Sequence, residues 1–227
     1  MRATFERELL QQQEQLLAMG SVVAENLTKA VTVLLQANHA QARQLIQMDE
    51  WVNEQRINIL MGCLAIIATQ QPTGRDMRFL AAIMEIAGEL ERIHDYVKGI
   101  GRISLIVGTR RLPDFLTYIL PQMAEKSADM LERTMDAFVR RDGALARTIP
   151  QEDDFVDDLF KQSHRDFATF IMADPEQIEW ANYLQWATHN LERSADRVTN
   201  VCEWVVYLVT GEYKEMDAET SLEALPA

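Results

Sequence analysis

The stretch Leu90–Asp95 reads LERIHD, and a close copy, Leu191–Asp196, reads LERSAD near the end of the chain. Both lie in long helical patterns, so the two carboxylates of each copy are four residues apart and share one helix face. A repeated pair of this kind indicates two equivalent sites that could offer oxygen ligands to a cation. It also indicates that the chain contains two copies of one structural unit.

The duplication extends well beyond this motif. An offset of 104 residues, from 38 to 142, aligns residues 38–54 with 142–158 and keeps six residues identical. The offset becomes 101 residues in the last helix of each half, from 91 to 192. The aligned segments also repeat an oxygen-bearing pair at a spacing of four residues, Asp49 with Asn53 and Asp153 with Asp157.

Apolar residues at helical spacing, with only nine Gly and six Pro, predict an all-α fold. The middle helix of the first half, for example, carries Leu45, Val52, Ile59 and Ile66 at seven-residue intervals. A break near residues 109–114 separates the halves. We therefore predict two tandem three-helix bundles of long helices related by internal duplication, in residues 1–109 and 114–211, and an acidic tail at 212–227 that frays.

Proline 150 is the discordant residue of the second half. Pro150 aligns with Ile46, which lies inside the middle helix of the first half. Proline removes a backbone hydrogen bond and clashes with the preceding turn. We therefore expect the middle helix of the second half to kink or restart there.

Charge and composition exclude several classes of function. The formal net charge of −13 repels phosphate backbones and anionic lipids, which argues against nucleic-acid binding and a polybasic membrane anchor. We expect no signal peptide, no apolar run of about 20 residues and no direct membrane insertion. Cys63 and Cys202 lack the spacing of a disulfide framework or a thiolate zinc site, which fits a reducing cytoplasm.

The repeated carboxylates are the candidate site. Glu91 and Asp95 are expected to face outward, on the side of the helix opposite the apolar residues Leu90 and Ile93. Packing of adjacent helices could bring the pair Asp49 and Asn53 alongside them. Four oxygen-bearing side chains per half suit magnesium, manganese or iron. A plain alternative stays open, in which these acids form a solvated, charged face. The candidate ligands are Asp49, Asn53, Glu91, Asp95, Asp153, Asp157, Glu192 and Asp196.

These motifs, with the Gln71-Pro72-Thr73 turn and the closing segment Val205–Glu212, resemble the PhoU family over nearly the whole chain. The resemblance implies two three-helix bundles with multinuclear surface metal sites, iron first, with zinc, nickel, manganese or magnesium as alternatives. The chain departs from the family pattern at Asn53 and at His94. The imidazole of His94 could add a ligand or merely fill space.

The resemblance also implies a signalling protein rather than an enzyme. At high phosphate such a protein contacts the ATPase subunit of a phosphate ABC transporter and a phosphate sensor histidine kinase, and restrains both. It would be cytoplasmic and peripheral to the inner membrane through these partners. Homodimer formation is left open.

Two rival interpretations remain. Glu91 and His94 match the E-x-x-H pattern of di-iron carboxylate oxidases, but that chemistry needs a second such motif, and the repeat has Ala195. The other rival is a metal-free helical scaffold or co-chaperone-like adaptor whose acids serve solubility.

Overall fold

The computed structural model describes residues 2–216, and the regular structure in that part of the chain is helical throughout. This confirms the all-α prediction. Short 3-10 turns, Ile149–Glu152 and Pro175–Gln177, precede the last two long helices. The helices are α1 (Arg2–Leu35), α2 (His39–Gln70), α3 (Arg75–Val107), α4 (Asp114–Arg140), α5 (Gly143–Thr148), α6 (Asp153–Ala173) and α7 (Ile178–Thr210).

The first half contains three uninterrupted helices. The apolar residues at seven-residue intervals form the seam of α2, and all four are buried: Leu45, Val52, Ile59 and Ile66. The side chain of Asn38 accepts a hydrogen bond from the backbone N–H of Gln41 and caps α2 at its start (3.2 Å). Gln71 adopts a left-handed conformation (φ 50°) and ends the helix. Local sequence therefore sets the ends of α2, and burial of its seam holds it in the bundle.

The middle helix of the second half is broken where the sequence predicts. Asp142 caps α5 by accepting hydrogen bonds from the N–H groups of Ala144 and Leu145 (3.1 and 2.9 Å). Pro150 then lies in a 3-10 turn, and α6 restarts at Asp153. The prediction of a restart is confirmed. Because of it, Asp153 lies in the first turn of a new helix, whereas its counterpart Asp49 lies inside α2.

The two halves join through their last helices, α3 and α7. Glu89 accepts a hydrogen bond from the side-chain amide of Asn200 (3.3 Å). Ten residues further along α3, Gly99 lies so close to Asn190 that an added Cβ would be 2.5 Å from its Nδ2 atom. As the residue number rises along α3, the residue number of the contacting residue in α7 falls, so the two helices run antiparallel.

This packing reproduces the internal duplication in three dimensions. At the offset of 101 residues, Asn190 is the counterpart of Glu89 and Asn200 is the counterpart of Gly99. The Glu89–Asn200 and Gly99–Asn190 contacts are therefore related by a pseudo-two-fold axis. Buried residues of both halves also form one hydrophobic cluster. The boundaries at 1–109 and 114–211 thus stay a prediction, because the halves share a continuous core.

The first helix, α1, bears on the expectation that no segment inserts into a membrane. Among the residues described, the segment Ala3–Leu35 is long and apolar enough to cross a membrane by length and composition alone. More than half of its apolar window (56%) is buried in the protein, and Leu16, Met19, Val23 and Leu27 have no exposed surface. In this structure α1 therefore packs as a core helix.

The start of the acidic tail is also better ordered than predicted. The hydroxyl of Tyr213 and the backbone N–H of Met216 both donate to the carboxylate of Glu203 (2.9 and 2.8 Å). The Tyr213 ring packs against Trp204, with ring centroids 4.8 Å apart. Residues 212–216 therefore fold back onto α7 instead of fraying. Residues 217–227 of the predicted tail lie outside the described residues.

Candidate functional site

The predicted acidic pairs of α2 and α3 do meet in the first half, and a lysine joins them. The Nζ atom of Lys98 lies 2.6 Å from Oδ2 of Asp49 and 3.0 Å from Oδ1 of Asp95. Asp95 and Lys98 are three residues apart on α3 and share a face. Asp49 reaches the same ammonium from the neighbouring helix. A positive side chain thus lies between two of the predicted metal ligands.

His94 fills a buried position behind this pair. Its side chain has no exposed surface, its Nδ1 lies 3.4 Å from Oδ1 of Asp49, and its Nε2 lies 3.2 Å from the Asn26 amide nitrogen. Burial lowers the pKa of His94 and favours the neutral imidazole. In the hydrogen-bond arrangement that follows, Asn26 donates to Nε2 and Nδ1–H donates to Asp49. Both ring nitrogens are occupied, so His94 fits packing and hydrogen bonding better than either a metal ligand or the E-x-x-H interpretation.

Asn53 and Glu91 complete the first-half set. The amide of Asn53 donates to the backbone carbonyl and to Oδ2 of Asp49 (3.0 and 3.2 Å). Desolvation raises the pKa of Glu91, the charges of Asp95 and Asp49 raise it further, and Arg56 opposes them. Asp49 therefore relates to each of the other three: it contacts Asn53, it shares Lys98 with Asp95, and its charge acts on Glu91.

The second half brings together carboxylates from α6 and α7. Desolvation is the main cause that raises the pKa of Glu192 to about 7, and the nearby charges of Asp196 and Asp157 add to it. The Glu192 side chain is only 17% exposed, so it is more buried than the outward position that its spacing predicts. Asp157, Glu192 and Asp196 therefore form one acidic group across two helices.

Cationic side chains lie at the edge of this group. Arg193 Nη1 is 2.6 Å from Oδ2 of Asp196, and Lys161 Nζ is 3.7 Å from Oδ2 of Asp157. Asp153, one turn before Asp157, is half-buried at the start of α6. The four predicted second-half residues thus lie on one side of α6 and on the adjacent part of α7.

The two halves differ at the positions that decide the local charge. The counterpart of Lys98 is Thr199, and the counterpart of His94 is Ala195; both are fully buried. The counterpart of Asn53 is Asp157. The second half thus replaces a cation and an amide of the first half with a neutral hydroxyl and a carboxylate.

The two donor sets also differ in how well they fit a metal ion. Across residues 2–216, no three His, Cys, Asp or Glu side chains converge into a ready-made metal centre. In the first half the Asp49 oxygens are occupied by Lys98, Asn53 and His94, and this set does not fit a metal. In the second half Oε2 of Glu192 is buried without a hydrogen-bond partner, and Nδ1 of His189 lies 3.6 Å from it, beyond hydrogen-bond distance. A hard cation would satisfy this oxygen. This unsatisfied oxygen is what the second half offers a cation, and the ligand assignment of the second half stays a prediction.

Sequence reasoning missed two central residues. Lys98 lies three residues after Asp95 and seven after Glu91, so helical spacing could have placed it on the acidic face. Glu89 is buried at the α3–α7 contact, where it binds Arg92 (3.0 Å) and Arg197 (3.5 Å) as well as Asn200. The hydrophobic pattern of α3 alone does not indicate this contact, because the contact depends on how the two halves pack together.

Comparison with known proteins agrees with this architecture. The profile described as PhoU domain matches twice, at residues 16–104 and 120–205. The chain is 32% identical to a protein of Pseudomonas putida named phosphate-specific transport system accessory protein PhoU homolog, over 91% of this chain and 81% of that one.

Two crystal structures have the same fold. PhoU from Pseudomonas aeruginosa is 32% identical with a TM-score of 0.86, and the match covers 92% of this chain and 100% of that one. The phosphate transport system regulatory protein PhoU from Streptococcus pneumoniae is 30% identical with a TM-score of 0.85, covering 92% and 99%. The paired domain matches and these relatives show that the chain belongs to the PhoU family.

Proposed function

We propose that this protein regulates phosphate uptake and phosphate-starvation signalling in the cytoplasm. The observation that carries the proposal is the double PhoU domain match along a chain whose relatives are named accessory proteins of phosphate-specific transport. The protein acts by binding partners and not by catalysis.

The partners are the ATPase subunit of a phosphate ABC transporter and a phosphate sensor histidine kinase. At high phosphate the protein binds both and restrains uptake and the starvation response. The strongly acidic surface supports protein partners over nucleic acids. These contacts place the protein at the inner membrane without insertion.

The second half binds a divalent metal, with iron as the first choice and zinc, nickel, manganese or magnesium as alternatives. Asp157, Glu192 and Asp196 would hold it, with Asp153 at the start of α6. The support is the buried Glu192 oxygen and the nearby carboxylates of Asp196 and Asp157, whose charges add to the rise in the pKa of Glu192. A bound cation would add positive charge beside Glu192, beyond what Arg193 and Lys161 supply at the edge of the group.

Elemental analysis of the purified protein tests the metal proposal. We expect bound metal in the wild type and its loss in Glu192→Ala/Asp196→Ala. Glu125→Ala/Asp129→Ala is a matched control, because it removes two exposed acids at the same spacing on α4. Equal metal content in both double variants would contradict the assignment, and a wild type without metal would favour the scaffold interpretation.

Affinity purification from native membranes tests the partners. A chromosomally tagged protein is recovered from cells grown at high and at low phosphate, with an untagged strain as control, and bound proteins are quantified by mass spectrometry. We expect the transporter ATPase and the sensor kinase to be enriched at high phosphate. Recovery of neither at either concentration would contradict the proposal.

A further inference from the structure

We infer that Lys98 is the resident cation of the first half, and that metal binding belongs to the second half alone. The repeat predicts two equivalent metal sites, whereas the side chains of the two halves have diverged. The inference goes beyond the proposed function and rests on it only for the second-half metal.

The position of the Lys98 ammonium excludes a metal ion. Its Nζ atom lies 2.6 Å from Asp49 and 3.0 Å from Asp95, which are distances of charge-assisted hydrogen bonds. A metal that binds the same two oxygens would lie about 2.0–2.6 Å from each. The ion and the ammonium would therefore need the same space, and only one of them can be present.

The surroundings make this pair more than a mobile surface contact. The Asp49 side chain is 10% exposed and Lys98 is 21% exposed. Asp49 also receives hydrogen bonds from Asn53 and is contacted by His94, so its two oxygens are already partnered. Removing one partner of such a desolvated pair leaves an uncompensated charge, so the lysine is held in place. The cation thus also links α2 to α3.

The second half lacks this device at the equivalent positions. Thr199 replaces Lys98, Ala195 replaces His94, and Asp157 adds a carboxylate where the first half has Asn53. Lys98 bridges carboxylates of two helices, whereas Arg193 contacts Asp196 (2.6 Å) and His189 lies 3.6 Å from Oε2 of Glu192, all within α7. Arg193 is also 36% exposed, which is more open than Lys98. The same fold position therefore favours an internal ammonium in one half and an external cation in the other.

Manganese titration of metal-depleted protein tests the inference, with Mn²⁺ as the probe and calorimetry as the readout. When Asp95→Asn is the single change, the number of bound Mn²⁺ ions should equal that of the wild type. The double variant Glu192→Gln/Asp196→Asn should bind no Mn²⁺. Lys98→Met removes the ammonium and keeps an unbranched side chain, so it should bind more Mn²⁺ per chain than the wild type. Adding Asp95→Asn to Lys98→Met should return the number to the wild-type value.

A matched control and a second variant make the result decisive. Arg92→Met removes an exposed cation from the same helix and should change nothing. Lys98→Gln replaces Lys98→Met if the latter does not fold. The inference is overturned if Asp95→Asn alone reduces Mn²⁺ binding, or if folded Lys98 variants bind no more Mn²⁺ than the wild type. Failure of the proposed second-half metal site would give a different result. In that case the wild type would bind no Mn²⁺, and the Lys98 variants would still bind it.

Discussion

The carboxylate of Glu89 on α3 accepts a hydrogen bond from the side-chain amide of Asn200 on α7 (3.3 Å), across the boundary between the two halves. Arg197 of α7 contacts the same carboxylate at 3.5 Å. The Glu89 side chain is 10% exposed. This largely desolvated contact links the two copies of the unit, which also share one hydrophobic core.

Loss of the Glu89 carboxylate should weaken the whole protein. Glu89→Ala leaves Arg197 and Asn200 without their acceptor, so we expect the free energy of unfolding to fall by about 2–3 kcal/mol. Denaturant titration measures this loss. Glu85→Ala, one turn earlier and exposed, should change it little. Equal stability of the two variants would contradict the role of Glu89.

The close approach of α3 to α7 predicts an order among glycine substitutions. Gly88 has open space around an added Cβ, whereas at Gly99 that atom would lie 2.5 Å from Asn190. Gly88→Ala should therefore stabilise the protein by up to about 1 kcal/mol through helix propensity, and Gly99→Ala should gain less or lose. In an Asn190→Ala background the two substitutions should become equally favourable. Equal thermal shifts in the wild-type background would contradict the contact.

The two thiols should be unreactive in the folded protein. Cys63 and Cys202 have no exposed surface, and burial raises the pKa of each to about 12. Since the thiolate is the reactive form, a disulfide reagent at pH 8 should label neither cysteine until denaturant is added, and then both. Rapid labelling of the native protein would show that one of these helices opens easily.

The acidic group of the second half should make stability depend on pH in metal-free protein. The pKa of Glu192 is about 7 in the folded state and 4.5 as an ordinary glutamate. The contribution of Glu192 to the free energy of unfolding is therefore fully present below about pH 4.5, and it is lost as the pH rises through about 7. With a chelator present, Glu192→Gln should raise the melting temperature at pH 8 and leave it near the wild-type value at pH 4.5. A variant no more stable than the wild type at pH 8 would contradict the burial of this carboxylate.

Periodicity and breakers predicted most of the helical layout. The buried seam of α2 and the restart caused by Pro150 follow from rules that act within one helix turn. The fold-back of Tyr213 onto Glu203 was missed, because a short polar segment carries no pattern that reveals a distant acceptor.

The site was predictable only in part, for a related reason. Spacing located the carboxylates and correctly indicated that α2 and α3 bring Asp49 and Asp95 together. It did not reveal that Lys98 would reach between them, since a long side chain can turn toward several neighbours. The contacts of Glu89 depend on the packing of two bundles, which the pattern of a single helix does not contain.

Expression of phosphate-starvation genes tests the central claim most directly. In the native cell, deletion of this gene should leave a phosphate-starvation reporter active at high phosphate, and the full-length chain supplied in trans should switch it off. A reporter that responds to phosphate equally well with and without the gene would contradict a role in restraining the phosphate response.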